Sequence, residues 1–169
     1  MNLDKGTIEV YHAGTEIVEL PDCKFGRKDL DFGHGFYLTD IYEQAINFGR
    51  AKSANRKMPG IINTYLLDKA SMLREANSLI FDQYDNDWLD YIVACRSGED
   101  IWEKYDYVEG GVADDRVINT VTLYIQGYIS KDRALANLRY LKPNNQICIL
   151  NQDLLNRHLK FTNSLILPE

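Results

Sequence analysis

A chain of 169 residues with 45% hydrophobic and 26% charged residues has the length and composition of one globular domain, and this excludes a disordered or low-complexity chain. Lys plus Arg number 19 and Asp plus Glu 25, so the net charge of −6 gives no global attraction to nucleic acid or to an anionic membrane. No run reaches the roughly 18 apolar residues of a membrane span, and Met1–Gly6 carries no apolar signal core. Cys23, Cys95 and Cys148 are odd in number, far apart and without a CxxC spacing, so neither a disulfide framework nor a zinc site is expected. These features predict a single domain over residues 1–169 in a reduced cytoplasm.

In chain order, Thr7–His12 mixes β-branched and aromatic residues ahead of Ala13-Gly14 and predicts a strand. Residues 21–35, rich in Gly, Asp and Lys, read as a loop, and Gly35–Thr39 as a short strand. Asp40, three residues before Glu43, predicts a capping box. The helix it opens carries Ile41, Ala45, Phe48 and Ala51 at helical spacing and ends near Lys57, before Pro59-Gly60. Strands follow at Ile61–Leu67 and Ser78–Phe81, then a helix at Trp88–Cys95 entered at Asp85 or Asn86, then a strand at Tyr105–Val108 that leads into Gly110-Gly111. Val117–Ile129 and Ala134–Leu141 read as helices, the second capped by Ser130. Ile147–Leu150 reads as a buried strand, Gln152–Leu159 as a short helix and Phe161–Leu167 as a closing strand. Strands and helices are mixed without a βαβ alternation, so the fold class is α+β.

Most local signatures of chemistry are missing. None of His12, His34 and His158 has a second histidine at i+3 or i+4, so no helical metal site is expected. Gly33-His34-Gly35 lacks the third glycine of a dinucleotide fingerprint and follows a polar loop. There is no P-loop and no GxSxG. A Cys–His nucleophile pair stays open, with nothing local in its favour. Asp114-Asp115 read either as paired carboxylates or as the N-cap and first-turn acid of the helix near Val117. Several of the eleven tyrosines, among them Tyr65, Tyr91 and Tyr124, lie at core spacing.

Three pieces taken together carry more. They are Val10-Tyr11-His12-Ala13-Gly14-Thr15, then Gly33-His34-Gly35-Phe36-Tyr37-Leu38-Thr39 ahead of a helix with Ala45 and Phe48, then Asn144-Asn145-Gln146-Ile147-Cys148-Ile149. In this order the set resembles the H-Y-E branch of the ADP-ribosyltransferases, which includes diphtheria toxin and the poly(ADP-ribose) polymerases. Over residues 8–162 the chain is also similar to the bacterial family known as domain of unknown function 3990. That second likeness rests on Tyr11-His12-Ala13, Asp31-Phe32-Gly33 through Thr39, Ala45, Val112-Ala113-Asp114-Asp115 and Asn145-Gln146-Ile147-Cys148.

The resemblance implies an ADP-ribosyltransferase-like split β-sheet core with peripheral helices, and a mono-ADP-ribosyltransferase that uses NAD as substrate and needs no metal. It implies catalytic roles for His12, Tyr37 and Gln146, and an NAD site built from His12, Ala13, Gly14, Thr15, Gly35, Tyr37, Ala45 and Phe48. His12 would bond a ribose hydroxyl, the Ala13 backbone the carboxamide, and Tyr37 and Phe48 the two faces of the nicotinamide ring. Ala45, three residues before Phe48, leaves room for the carboxamide. Loss of nicotinamide leaves an oxocarbenium-like ribose, which the superfamily stabilises with a Glu. Gln146 stands at that place and offers an amide oxygen without charge, which disfavours chain elongation more than single transfer. Asp31, Asp114 and Asp115 are further candidate residues. The resemblance also implies a toxin or phage-defence effector with an antitoxin partner. The net charge favours a protein acceptor over nucleic acid.

Two alternatives stand beside this reading: an NAD glycohydrolase, and a non-catalytic NAD- or ADP-ribose-binding module. Singly, each residue also has an ordinary structural reading, with His12 at a strand edge, Tyr37 and Phe48 in the core and Gln146 in a turn. The cations Arg27, Lys28, Arg50, Lys52, Arg56 and Lys57 flank the loop and helix of the expected site. They read either as a pyrophosphate-binding surface or as a solvated helix face.

Overall fold

The computed structural model describes residues 6–28, 30–111, 115–139, 141 and 144–168. The elements are β1 (Thr7–Gly14), β2 (Phe36–Leu38), α1 (Tyr42–Arg56), β3 (Ile61–Asp68), α2 (Lys69–Glu75), β4 (Ser78–Ile80), α3 (Asn86–Arg96), β5 (Tyr107–Gly110), α4 (Asp115–Ile125), α5 (Lys131–Leu138), β6 (Gln146–Ile149), α6 (Gln152–His158) and β7 (Leu159–Ile166). A 3-10 turn over Ile101–Lys104 precedes β5. The class is α+β, with two sheets.

One sheet has the order β1-β3-β7 and is antiparallel throughout. The other has the order β2-β6-β5-β4, with only β4 and β5 parallel. Among the described residues, a single bridge joins them. The Tyr11 amide donates to the Thr39 carbonyl at 2.8 Å, and the Thr39 amide donates to Tyr11 at 3.0 Å. Among the described residues, no strand lies beside the edge of β1 beyond this bridge.

Side-chain alternation along the strands sorts the core into layers. Val10, Tyr65 and Leu67 of the first sheet meet Phe36, Leu38, Tyr107, Ile147 and Ile149 of the second, with Met72, Leu154 and Leu155 closing the ends. Each aliphatic side chain buried here stabilises the fold by about 1.5–3 kcal/mol. The opposite face of the second sheet, at Val108 and Cys148, packs on Trp88, Leu89 and Ile92 of α3, Val117 and Val121 of α4, and Ala134 and Leu138 of α5. The opposite face of the first sheet packs on α1 through a small cluster of Ala13, Ala45, Ile62 and Leu167.

Several sequence expectations need correction. The Asp40–Glu43 capping box does not form, because α1 starts after Ile41 without a side-chain cap. Thr39 Oγ1 instead accepts from the Ile41 amide at 3.1 Å, while Asp40 accepts from Asn145. The stripe Ile41, Ala45, Phe48, Ala51 is not a buried face, since only Ala45 and Gly49 of α1 are buried. The α2 helix was not expected from the sequence: its short run KASMLRE has only Met72 as a buried anchor, and Asp68 caps it by accepting from the Ser71 amide. The helix at Val117–Ile129 ends at Ile125, two residues before Gly127 at φ +76°. Asp85 and Ser130 cap α3 and α5 as their positions predict.

Candidate functional site

The free edge of β1 is where the site begins. In an antiparallel ladder the backbone groups of alternate residues point to the same side. Those of Tyr11 bond to Thr39. Those of Ala13, two residues on, therefore point the same way, toward β2, with which no ladder pairs them among the described residues. The strand edge opens into a cleft of about 390 Å³ including its mouth, lined by Tyr11, His12, Ala13, Tyr37, Leu38, Thr39, Gln44, Ala45, Phe48, Lys52 and Gln146. Helical spacing places Gln44, Ala45, Phe48 and Lys52 on one stripe of α1 facing β1.

His12 is fixed on both sides. Its ring stacks on Phe36 at 4.7 Å between centroids, and its Nδ1 lies 2.9 Å from the Tyr37 carbonyl. A carbonyl only accepts, so Nδ1 carries the proton and Nε2 is a bare acceptor. Burial is the main cause that pushes the His12 pKa down to about 4, against the opposing pull of the Tyr37 carbonyl, so the ring is neutral at pH 7. Tyr37 is held as firmly. Its hydroxyl donates to the Gly33 carbonyl at 2.6 Å and accepts from the Phe32 amide at 3.1 Å. Burial holds its pKa well above the usual phenol value, so it is a neutral wall of the cleft.

The loop that Tyr37 anchors depends on two glycines. Gly33 has φ +91°, and a Cβ there would lie 2.1 Å from Trp102. A Cβ on Gly35 would lie 2.5 Å from Cys148 Sγ and 2.6 Å from the Ile149 carbonyl, so β2 reaches β6 only with glycine at this position.

Gln146 opens β6, and its side chain has no hydrogen-bond partner among the described residues. The residue before it is fixed from four sides. The Asn145 carbonyl accepts from Thr39 Oγ1 at 2.8 Å and Gln44 Nε2 at 2.9 Å. Its Nδ2 donates to Asp40 and Glu109, each at 2.9 Å. Glu109, only 7% exposed, also accepts from Lys69 Nζ at 2.8 Å and the Tyr107 hydroxyl at 2.6 Å. A buried carboxylate with three donors is a stiff post, and here it holds the start of β6 against the cleft.

Phe48 differs from the other aromatic residues that line the cleft, Tyr11 and Tyr37. It is 49% exposed, so it is not a core residue. Its ring has Lys52 Nζ 5.4 Å from its centroid, and the same ammonium donates to the Ala13 carbonyl at 2.8 Å.

Of the residues singled out from the sequence, His12, Ala13, Tyr37, Ala45, Phe48 and Gln146 line this cleft together. Gly14, Thr15 and Gly35 are not among its lining residues. Thr15 is buried and accepts from Arg56 Nη1 at 3.3 Å. Asp31 is elsewhere, buried and paired with Arg96 of α3. Asp114 lies outside the described residues, and Asp115 is the first residue of α4. The Cys–His alternative has no thiolate to offer. All three cysteines are buried, and burial pushes Cys23 up to about 11, Cys95 up to about 12 and Cys148 well above the usual value.

Lys52 entered the sequence reading only as one of the cations flanking the expected site, and two site residues had no part in it: Gln44 and Glu109. A lone acid inside the apolar run Tyr107-Val108-Glu109-Gly110 was the available signal for the last. Among the described residues, no helix is long and apolar enough to cross a membrane.

The family model described as protein of unknown function (DUF3990) matches residues 8–161, a span that contains every residue of the cleft. No curated protein and no solved structure matches the chain. The cleft between β1, β2, α1 and β6 is thus a feature of a chain that belongs to the DUF3990 family.

Proposed function

We propose that this protein is a mono-ADP-ribosyltransferase with an ADP-ribosyltransferase-like split sheet, which cleaves NAD and passes ADP-ribose to a cellular macromolecule. One observation carries the reading: His12, Tyr37, Ala45, Phe48 and Gln146 converge on one cleft although they are spread from residue 12 to residue 146.

Each group has properties suited to a part of the task. His12 Nε2 is a neutral acceptor for a ribose hydroxyl. The Ala13 backbone points a donor and an acceptor into the cleft, the pair that a carboxamide requires. The exposed ring of Phe48 and the fixed ring of Tyr37 are the aromatic walls for a nicotinamide. Ala45, 1% exposed, keeps the helix close to β1 without filling the slot. Gln146 Oε1 accepts from the ribose 2′-hydroxyl as positive charge develops on the sugar.

In the reaction the C1′–N bond breaks, and its electron pair leaves on neutral nicotinamide. The acceptor's nucleophile then bonds to C1′ and releases its proton to solvent. With no carboxylate at position 146, catalysis rests on positioning, and single transfer is favoured over chain elongation. A cytoplasmic toxin or phage-defence role with an antitoxin partner, and a protein as acceptor, belong to the same proposal.

Incubation of the purified chain with NAD labelled in its adenylate part, together with cell lysate, tests it. Label on a macromolecule that protease removes and nuclease does not is the expected result. Free labelled ADP-ribose with no labelled macromolecule would replace the reading with an NAD glycohydrolase. NAD binding without nicotinamide release would replace it with a binding module.

A further inference from the structure

Lys52 is the one cation among the described residues that line the cleft. Its ammonium donates to the Ala13 carbonyl at 2.8 Å and lies 5.4 Å from the centroid of the Phe48 ring. Among the described residues it pairs with no carboxylate, and neither do Arg56 and Arg27, in a chain with 25 acids. Arg56, one turn further along α1, reaches Thr15 just past the same strand edge. Burial, then Arg56 and Arg27, hold the Lys52 pKa below the ordinary lysine value. A positive group kept beside two others and bound only by a carbonyl and a ring gains strongly from an anion.

The two contacts that Lys52 makes are the two that the proposed function gives to nicotinamide. The ring of NAD is a pyridinium cation whose carboxamide needs an acceptor and whose face needs an aromatic ring. An N–H donor on the Ala13 carbonyl and a cation over Phe48 reproduce both. Lys52 and a nicotinamide ring therefore contend for the same carbonyl and the same aromatic face, and for the pyridinium of intact NAD like charge adds to the conflict. The flexible four-carbon stem of lysine lets the ammonium move to another partner.

We propose that Lys52 is an internal competitor of nicotinamide that a diphosphate ester draws away. With Arg56 it then grips that diphosphate, so the cleft selects dinucleotides over free nicotinamide. This rests on the NAD reading above and adds a consequence to it: the released nicotinamide is a weak inhibitor, because Lys52 returns to its place once the diphosphate no longer holds it.

Titration calorimetry with NAD, ADP-ribose and nicotinamide on the wild-type chain, Lys52→Met and Arg56→Met tests it. Methionine keeps the stem that packs on Phe48 and removes the charge. Lys52→Met is expected to bind ADP-ribose about tenfold more weakly and nicotinamide several-fold more tightly, the size of one charge-assisted hydrogen bond lost or relieved. Arg56→Met is expected to weaken ADP-ribose and leave nicotinamide unchanged, since Arg56 touches neither Ala13 nor Phe48. NAD binding to the wild type, with nicotinamide affinity unchanged or lowered in Lys52→Met, overturns the competitor while the NAD reading stands. Millimolar NAD, ADP-ribose and nicotinamide all failing to bind the wild type overturns both.

Discussion

The two walls of the cleft are built on opposite principles. On the sheet wall the groups around Gln146 are held: Tyr37 by Gly33 and Phe32, Asn145 by Thr39, Gln44, Asp40 and Glu109, and Glu109 by Lys69 and Tyr107. On the helix wall α1 touches the first sheet through small residues, and it turns an exposed ring and an ammonium toward the opening. A stiff wall fixes directions, as positioning chemistry requires. A helix packed through Ala45 and Gly49 can present Phe48 and Lys52 without relying on them for stability. The difference separates residues whose loss unfolds the protein from residues whose loss only empties the site of affinity.

The strongest way to break this contrast is Glu109→Ala. It strands Lys69 and the Asn145 amide beside a buried void, and the expected loss is about 3 kcal/mol in urea unfolding. Glu109→Gln should recover much of that, because an amide oxygen still accepts. A cost below about 1 kcal/mol for the alanine variant would mean that the sheet wall is not held as described.

The His12 ring sharpens the same point through pH. Its folded pKa of about 4 lies below the unfolded value of 6.5, so between these values the unfolded chain binds more protons. The stabilisation is full above about pH 6.5 and is lost as pH falls toward 4. His12→Asn keeps a donor for the Tyr37 carbonyl but does not titrate, so its stability should fall less across this window. Parallel curves of melting temperature against pH for the two proteins would contradict the buried neutral ring.

Tyr37→Phe removes one hydroxyl and leaves the Gly33 carbonyl and Phe32 amide without their partner, for an expected loss of about 1–2 kcal/mol. The ring remains, so NAD affinity should change less than stability. Phe48→Ala reverses that pattern. With its ring half exposed, the unfolding free energy should move by less than about 0.5 kcal/mol. NAD affinity should weaken about five- to tenfold, the worth of one aromatic contact with its burial. A melting temperature that drops several degrees in Phe48→Ala would place that ring in the core after all.

Strand positions were legible because alternation and β-branched residues mark them: β1, β3, β6 and β7 each lie within two residues of where the sequence puts them. The α2 helix was not, since Met72 is its single buried anchor, whereas α6, equally short, carries Leu154 and Leu155 behind an Asn151 cap. The apolar stripe of α1 misled for a physical reason. Ile41 and Phe48 have core spacing, but the helix approaches its sheet through Ala45 and Gly49, which leaves the larger side chains at the surface. The convergence of His12, Tyr37, Phe48 and Gln146 was legible only through order and family likeness, because no local spacing links residues that far apart. Glu109 and Lys52 act through partners at Asn145 and Ala13, across strand pairings that are invisible in a one-dimensional sequence.

The proposed cleavage of NAD places Gln146 at the reacting sugar, so nicotinamide release by folded Gln146→Ala is the decisive measurement. The side chain makes no structural bond among the described residues, so the variant should unfold at the wild-type urea midpoint. If Gln146 strengthens its hold on the ribose in the transition state, nicotinamide release should fall by on the order of 10²-fold, with NAD affinity nearly unchanged. Wild-type release from the folded alanine variant would contradict the account.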